Sequence, residues 1–251
     1  MNINIDTIQK EINQLFDKYK IPAITKNLPI KNLQVWSKNV AIHFKLDEKN
    51  FRQTVTELFW SMGHVQLSLG HMLIALQECE FIDGIQGIAL HEKDVPNIKM
   101  PEIYFWYYVY TSHECVYRCW ERINNVLMHV CFPNLSEKQF RKQYFSQTIS
   151  ALHKNSRYTQ NPYLEELQKY IEYRKKAADD RNEISHGKSS PMRNMKIEGK
   201  VSNSLGANGL PFIYLDYSCK SLSAELDNVI DKYKKVLPTI KAMKDFIDNI
   251  E

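Results

Sequence analysis

The sequence has few of the residues that form tight turns, with 8 glycines and 9 prolines in 251 positions. This scarcity argues against an all-β sandwich or barrel, in which such turns join many short strands. The five cysteines are odd in number and include no CxxC pair. They therefore do not indicate a disulfide framework.

Long apolar runs are also missing. The most apolar stretch, IYFWYYVYTSHECVYRCW, contains His113, Glu114 and Arg118 and is too short and too polar to cross a bilayer. The N-terminal segment lacks the apolar core of a secretory signal. We therefore expect a reduced, soluble, cytoplasmic protein without a membrane-spanning segment.

The composition is that of a chain with a hydrophobic core. Hydrophobic residues make up 43% of the sequence, aromatic residues 12% and charged residues 25%, which excludes an intrinsically disordered chain. The formal net charge of +4 is mildly basic. Such a charge is compatible with a nucleic-acid partner but does not by itself indicate one.

Most of the chain has apolar residues at helical spacing, and Pro, Ser and Gly residues stand where helices begin or end. The pattern predicts helices at about residues 6–19, 50–81, 101–131, 136–154, 161–186 and 225–250. Short strands are expected within KNLQVWSKNVAIHFKL, residues 31–46, and a connecting loop over residues 83–100. Residues 188–218 alternate between apolar and polar and contain Asn and Gly turns, which predicts a hairpin.

The predicted fold is therefore all-α in the main. It is a bundle of about five to six helices, with a small β-hairpin excursion after the fifth helix. We divide the chain into an N-terminal extension, residues 1–49, and a helical bundle, residues 50–251, that carries the hairpin as an insertion at 188–218.

The fifth helix departs from its own pattern. Arg174, Arg181 and Ser185 lie within its apolar arc, and Asn182 lies at the edge of that arc. Because burying an unpaired guanidinium is very costly, these arginines require a partner, a crevice or an interface. This requirement makes the helix the most informative segment of the chain.

His186 lies in the last turn of the same predicted helix, immediately before Gly187. Arginine offers a fixed fork of donors for a phosphate, and histidine exchanges protons near neutral pH. An Arg and a His at one helix end therefore suit cleavage of a phosphodiester by its own 2′-hydroxyl, without a metal.

The segment R-N-E-I-S-H, residues 181–186, resembles the R-x4-6-H motif of the HEPN superfamily, including the polar residue that usually follows the Arg. The resemblance covers residues 50–251 and leaves the N-terminal extension and residues 190–218 unexplained. It implies a helical bundle that acts as a homodimer, with the two motifs meeting in a cleft. Many members are metal-independent endoribonucleases that serve as toxins or in antiviral defence, which implies an RNA substrate and an antitoxin or other protein partner.

The resemblance also assigns roles to residues. Arg181 would orient and neutralise the scissile phosphate, His186 would act as general acid or base, and Asn182 would position one of them. Arg174 and Ser185 on the same arc, and Lys188 after the motif, are candidate substrate-binding residues. Arg174 can equally form a bridge to another helix, and the basic residues after the motif can equally belong to a solvated loop.

Other members of the superfamily are inactive and bind nucleotides or partners. A non-catalytic HEPN-like dimer that binds a nucleotide, RNA or a protein is therefore the alternative function. A third possibility is an ordinary helical interaction domain in which the motif arose by chance. In that third case, Arg181 pairs with a buried carboxylate and His186 merely caps the helix.

An Arg followed by a His at the spacing of the motif occurs twice in the sequence, the second time at Arg122 and His129. We reject this second pair because Ile123 follows its Arg and because it lies in the middle of a helix. No metal or other cofactor is predicted, since His64 and His71 are seven residues apart and His113 and Glu114 lie on another helix.

Two further features leave alternatives open. Glu114, Arg118, Glu121 and Asn125 share one helix face, as a solvated stripe of ion pairs or as a set whose carboxylates reach the arginines of the fifth helix. The aromatic run over residues 104–110 suits core packing or a dimer interface, and it can also stack nucleobases.

Overall fold

A computed structural model describes residues 5–97, 99–135, 144–185, 195–205 and 211–250. Within these residues the α-helices are α1 (Ile5–Lys18), α2 (Ile24–Asn27), α3 (Ile30–His43), α4 (Glu48–Gln77), α5 (Met100–Cys131), α6 (Phe145–Lys154), α7 (Pro162–Gln168), α8 (Ile171–Ser185) and α9 (Leu222–Asp248). The strands are β1 (Ile85–Ala89), β2 (Met195–Leu205) and β3 (Pro211–Cys219), and a short 3-10 helix spans Glu92–Asp94.

Helices α4 and α5 form the centre of the bundle and run antiparallel. Three side-chain pairs, Glu57–Arg122, Ser68–Ser112 and His71–Tyr108, join them in opposite sequence order. The side chain of Asp47 caps α4 by accepting a hydrogen bond from the backbone N–H of Asn50. Both helices are lined by fully buried apolar side chains: Leu58, Met62, Val65, Leu69 and Leu73 on α4, and Phe105, Val109, Val116, Cys119 and Ile123 on α5.

The N-terminal helices pack into the same hydrophobic core. Ile12 of α1 is buried against Gly70 of α4, where any side chain larger than hydrogen would collide with it. The hydroxyl of Tyr233 on α9 donates to the carbonyl of Pro22 at 2.8 Å. Trp36 of α3 donates its indole N–H to Asp248 at the end of α9 at 2.7 Å. Residues 5–43 and the last helix are thus held together.

The three strands form one antiparallel sheet in the order β1–β3–β2. Gly84, just before β1, has φ +80° and approaches the carbonyl of Cys219 so closely that a Cβ there would lie 2.6 Å from the oxygen. Glycine is the residue that tolerates both conditions. Gly84 therefore lets the chain pass close to the end of β3 as it enters β1, an edge strand of the sheet.

The predicted all-α bundle with a small β excursion is confirmed, and the predicted hairpin corresponds to β2 and β3. Its turn, residues 206–210, lies outside the described residues, as do residues 136–143 at the start of the predicted fourth helix. Three local predictions were wrong.

Residues 31–46 form no strand and instead contribute most of α3. Leu33, Trp36, Val40 and Ala41 are buried there at helical spacing, a period that the polar residues between them had obscured. Residues 83–100 were predicted as a loop but include the strand β1. This strand forms by pairing with β3, which is distant in the sequence, so no local pattern predicts it.

The predicted helix over 161–186 divides into α7 and α8, with a turn at residues 169–170. The side chain of Asn161 caps α7, as the sequence suggested. The arginines therefore belong to a separate, shorter helix, α8.

Candidate functional site

Helix α8 rests on α5 through two small side chains. Ala177 and Ala178 are buried, while the residues on either side of them are exposed or half-buried. Small residues let the two helices approach closely, so the longer side chains of α8 reach across the surface of α5. The candidate site is built at this junction.

Arg181 is held on α5 by Glu114. Its Nε donates to Glu114 Oε2 at 3.1 Å, and the second oxygen of the same carboxylate accepts from Arg118 Nε at 3.0 Å. The side chains of Arg181 and Glu114 are 36% and 33% exposed. The arginine therefore has the partner that its position in the apolar arc required, and it also remains open to solvent.

The face of α5 that carries Glu114, Arg118, Glu121 and Asn125 combines the two arrangements considered from the sequence. Glu114 and Arg118 form an i,i+4 ion pair on a solvated face, and Glu114 also reaches an arginine of α8. Asn182 lies beside this pair, where its Oδ1 accepts from Nη1 of Arg181 at 3.3 Å. Nε–H and one Nη1–H of the guanidinium are thus engaged by described residues.

Tyrosine rings extend the site along α8. The guanidinium of Arg181 lies 5.3 Å from the ring centroid of Tyr117, and that of Arg174 lies 5.5 Å from the same ring. Arg174 also lies 5.1 Å from the ring of Tyr144. These distances are within the range of cation–π attraction. Arg174 and Arg181 are therefore aligned on one aromatic platform.

Tyr117 presents a neutral ring to both arginines. Burial raises the pKa of its phenol, and the nearby carboxylate of Glu121 raises it further, while the two guanidinium groups lower it to a smaller extent. The net pKa lies above the usual value of about 10. The ring consequently keeps its proton at neutral pH and acts through its π face.

A second set of charged groups fixes the other side of α8. Asp180, the residue before Arg181, forms an ion pair with Lys232 of α9. Lys232 is only 4% exposed and also approaches Nδ1 of His113 at 3.4 Å, while Nε2 of His113 lies 3.1 Å from Glu225. Because an ammonium group can only donate, Nδ1 of His113 is placed to accept from Lys232, and its Nε2 is placed to donate to Glu225.

Not all predicted site residues lie in the described part of the chain. His186 and Lys188 lie outside it, and Ser185 ends α8 with a side chain that is likewise not described. Arg174, Arg181 and Asn182 are described and lie at one junction. Among the described residues, no ion pair involves Arg174; it bridges to α5 through the ring of Tyr117 and also contacts the ring of Tyr144.

Arg122 and His129, the second pair with the spacing of the motif, make contacts away from the candidate site. Arg122 pairs with Glu57 of α4 at 3.0 Å, and His129 packs its ring 6.4 Å from that of Phe51, with its pKa lowered by burial. His71 stacks on Tyr108 and also has a pKa lowered by burial. No group of three or more His, Cys, Asp or Glu side chains suited to a metal is found in the described ranges.

Sequence reasoning missed Tyr117, Tyr144 and the pair Asp180–Lys232. Tyr117 follows Glu114 by about one helical turn on α5. The contact considered between Glu114 and the arginines therefore could have indicated that Tyr117 lies close to them as well. Tyr144 and Lys232 come from distant parts of the chain, and only the tertiary arrangement brings them to α8.

No protein-family model, curated protein or solved structure matches this chain. None of the helices in the described residues is both long enough and apolar enough to span a membrane.

Replacing Glu225 with Gln should lower the free energy of unfolding at pH 7. Burial alone raises the pKa of the Glu225 carboxyl, but hydrogen bonds from His113 and Asn228 and the charge of Lys232 outweigh it and place the pKa below its usual value. A carboxyl with a depressed folded pKa contributes stability above its unfolded pKa of about 4.3, and this is lost as the pH falls through the folded value.

The measurement is urea unfolding of the wild type and Glu225→Gln at several pH values from 7 to 3. The difference between them should shrink below about pH 4.3. Glu172→Gln, at an exposed position of α8, is the control and should remain within about 0.5 kcal/mol of the wild type. A difference that is absent at pH 7, or constant with pH, would contradict the role given to Glu225.

Proposed function

We propose that this protein is a metal-independent endoribonuclease of HEPN type that cleaves RNA by attack of its 2′-hydroxyl. The observation that carries the proposal is the setting of Arg181. It is partly exposed, tied to Glu114 and Asn182, and located in the last turn of α8, which ends at the residue preceding His186. The third possibility also pairs Arg181 with a carboxylate, but a buried one, whereas Glu114 is 33% exposed and leaves Arg181 open to solvent.

The proposed chemistry assigns one task to each motif residue. Arg181 has N–H groups beyond those given to Glu114 and Asn182, and these can bind the scissile phosphate and stabilise the charge that develops on it. The 2′-oxygen bonds to phosphorus and the P–O5′ bond breaks. One proton leaves the 2′-hydroxyl and one is taken up by the 5′-oxygen, and His186 serves as general base or acid in this exchange.

The products are then a 2′,3′-cyclic phosphate and a 5′-hydroxyl end. The resemblance also implies a biological role as a toxin or antiviral defence protein that an antitoxin or another protein partner inhibits. Arg174, Ser185 and Lys188 are the residues proposed to hold the RNA on either side of the scissile bond. The alternative function, a non-catalytic dimer that binds a nucleotide, RNA or a protein, uses the same surface.

A homodimer is part of the proposal, and an exposed apolar face supports it. This α4–α5 face consists of Trp60 and Leu67 on α4 and Tyr104 and Tyr107 on α5, which are 47% to 58% exposed. Exposed aromatic and aliphatic side chains of this size on one side of a helix pair favour an interaction surface. Glu114 lies two turns beyond Tyr107 on the same side of α5. A two-fold axis through the face would therefore bring the two copies of Arg181 towards each other.

Arg181→Ala and His186→Ala should each reduce RNA cleavage roughly 100-fold or more, because each removes a group that acts on the reacting phosphate. The measurement is cleavage of a mixed RNA pool in EDTA by the purified full-length protein. Arg122→Ala is the matched control, since it removes an arginine with the same bare spacing to a histidine, and it should cleave like the wild type.

Circular dichroism and thermal unfolding establish that each variant is folded. Cleavage that survives both substitutions, or that requires a divalent cation, would contradict the proposal. A folded wild type that binds RNA and cleaves none would favour the non-catalytic alternative.

Leu67→Glu should convert the dimer to a monomer, because it places a charge in the centre of the α4–α5 face. The measurement is sedimentation velocity at micromolar concentration. Ile42→Glu is the control, since Ile42 is also exposed, at 61%, but lies on α3 and is not part of the α4–α5 face. A monomeric wild type, or a dimer that both variants retain, would contradict a dimer through this face.

A further inference from the structure

Arg174 has an unusual environment for an arginine next to a charged site. Its guanidinium lies against the rings of both Tyr117 and Tyr144, and none of the carboxylates in the described ranges forms an ion pair with it. By contrast, Arg181 and Arg118 share Glu114. Arg174 therefore keeps its positive charge and its N–H donors available to an incoming anion.

Tyr144 is exposed and is nevertheless held in a fixed place. Its side chain is 53% exposed, whereas the next residue, Phe145, is buried against Trp120 at a centroid distance of 5.6 Å. Its backbone N–H donates to Gln147 Oε1 at 3.0 Å, and its carbonyl accepts from the N–H of Thr148 at 2.9 Å. The start of α6 thus presents a tyrosine ring to solvent with little backbone freedom.

The distance between the two arginines matches a polynucleotide. Arg174 and Arg181 are seven residues apart on α8, which places them about 10 Å apart along the helix axis, of the order of one to two nucleotide steps. Both contact Tyr117, so they lie along one line on the surface. A strand whose scissile phosphate reached Arg181 would pass Arg174 with a neighbouring phosphate.

We propose that Tyr144 and Arg174 form a nucleotide subsite beside Arg181, in which an unpaired base stacks on the Tyr144 ring and a flanking phosphate binds Arg174. The inference rests on the proposed function and adds to it a specific subsite, at which the bound base must be unpaired. In a duplex, neighbouring base pairs cover the faces of each base, so a tyrosine can stack only on a base that is unpaired.

Binding can be measured separately from cleavage with the full-length His186→Ala variant and fluorescein-labelled RNA, by fluorescence anisotropy. The ligands are a single-stranded oligonucleotide and the same sequence paired in a duplex. Adding Tyr144→Ala should weaken single-strand binding roughly 10-fold, within the range for loss of one stacked base. Tyr144→Phe should retain binding, because it keeps the ring.

Tyr173→Ala is the matched control. It removes another exposed tyrosine close by on α8, but one whose ring contacts Lys235 rather than Arg174. It should bind like the parent variant. Arg174→Gln should reduce the slope of log affinity against log salt by about 0.7, the value for one phosphate contact on a single strand. Thermal unfolding confirms that each variant is folded.

The outcomes separate the subsite from the catalytic proposal. Unchanged single-strand binding in a folded Tyr144→Ala variant, or an equal loss for single strand and duplex, overturns the subsite even if the wild type cleaves RNA. Tyr144-dependent binding by a protein that cleaves no RNA keeps the subsite and overturns the endoribonuclease. A protein that neither binds nor cleaves RNA overturns both.

Discussion

Two consecutive residues of opposite charge, Asp180 and Arg181, determine where α8 lies. Asp180 pairs with Lys232 on α9, and Arg181 pairs with Glu114 on α5, so α8 is held from both sides at one point along its length. Lys232 is nearly fully buried, and a buried charge without its partner is strongly destabilising. The helix buries few apolar residues of its own, chiefly Ala177 and Ala178, and these ion pairs add to that contact in fixing its position.

The ion pair on the α5 side also sets the electrostatics of the proposed site. One carboxylate, Glu114, is shared by Arg118 and Arg181, and Arg174 has no carboxylate partner among the described residues. The junction of α5 and α8 therefore holds three arginines, Arg118, Arg174 and Arg181, beside the rings of Tyr117 and Tyr144, with Glu114 between two of them and Glu121 beside Tyr117. Positive charge beside aromatic rings is the combination with which proteins bind single-stranded nucleic acids. The same contacts that dock α8 thus prepare its surface for a phosphate.

Several parts of this arrangement could be predicted from the sequence. The cost of burying a guanidinium showed that Arg181 needs a partner, and the polar face of α5 supplied Glu114 as a candidate. The long helix α4 was predicted from an apolar periodicity that extends over many turns, and α5 from Pro101 at its start and a first half that is aromatic on all sides. The resemblance to the HEPN motif, which directed attention to Arg181 and His186, remains a prediction.

Other parts depend on contacts between distant residues. The strand β1 exists because β3 pairs with it, and α3 was mistaken for short strands because its buried positions are few. Tyr144 reaches Arg174 only because Phe145 anchors α6 in the core beside Trp120. No local pattern encodes such a contact, which is why a residue of the proposed subsite was missing from the sequence analysis.

The most direct measurement compares two RNA oligonucleotides that differ by a single oxygen. Once a cleavage position is mapped, the nucleotide on the 5′ side of the scissile bond is replaced by its 2′-deoxy form, and cleavage of both is followed by product mass. If the 2′-hydroxyl is the nucleophile, cleavage at that bond stops in the deoxy substrate, and the all-RNA substrate yields 2′,3′-cyclic phosphate ends. Cleavage of the deoxy-substituted bond at an unchanged rate would mean that water is the nucleophile, and it would contradict the mechanism proposed for Arg181 and His186.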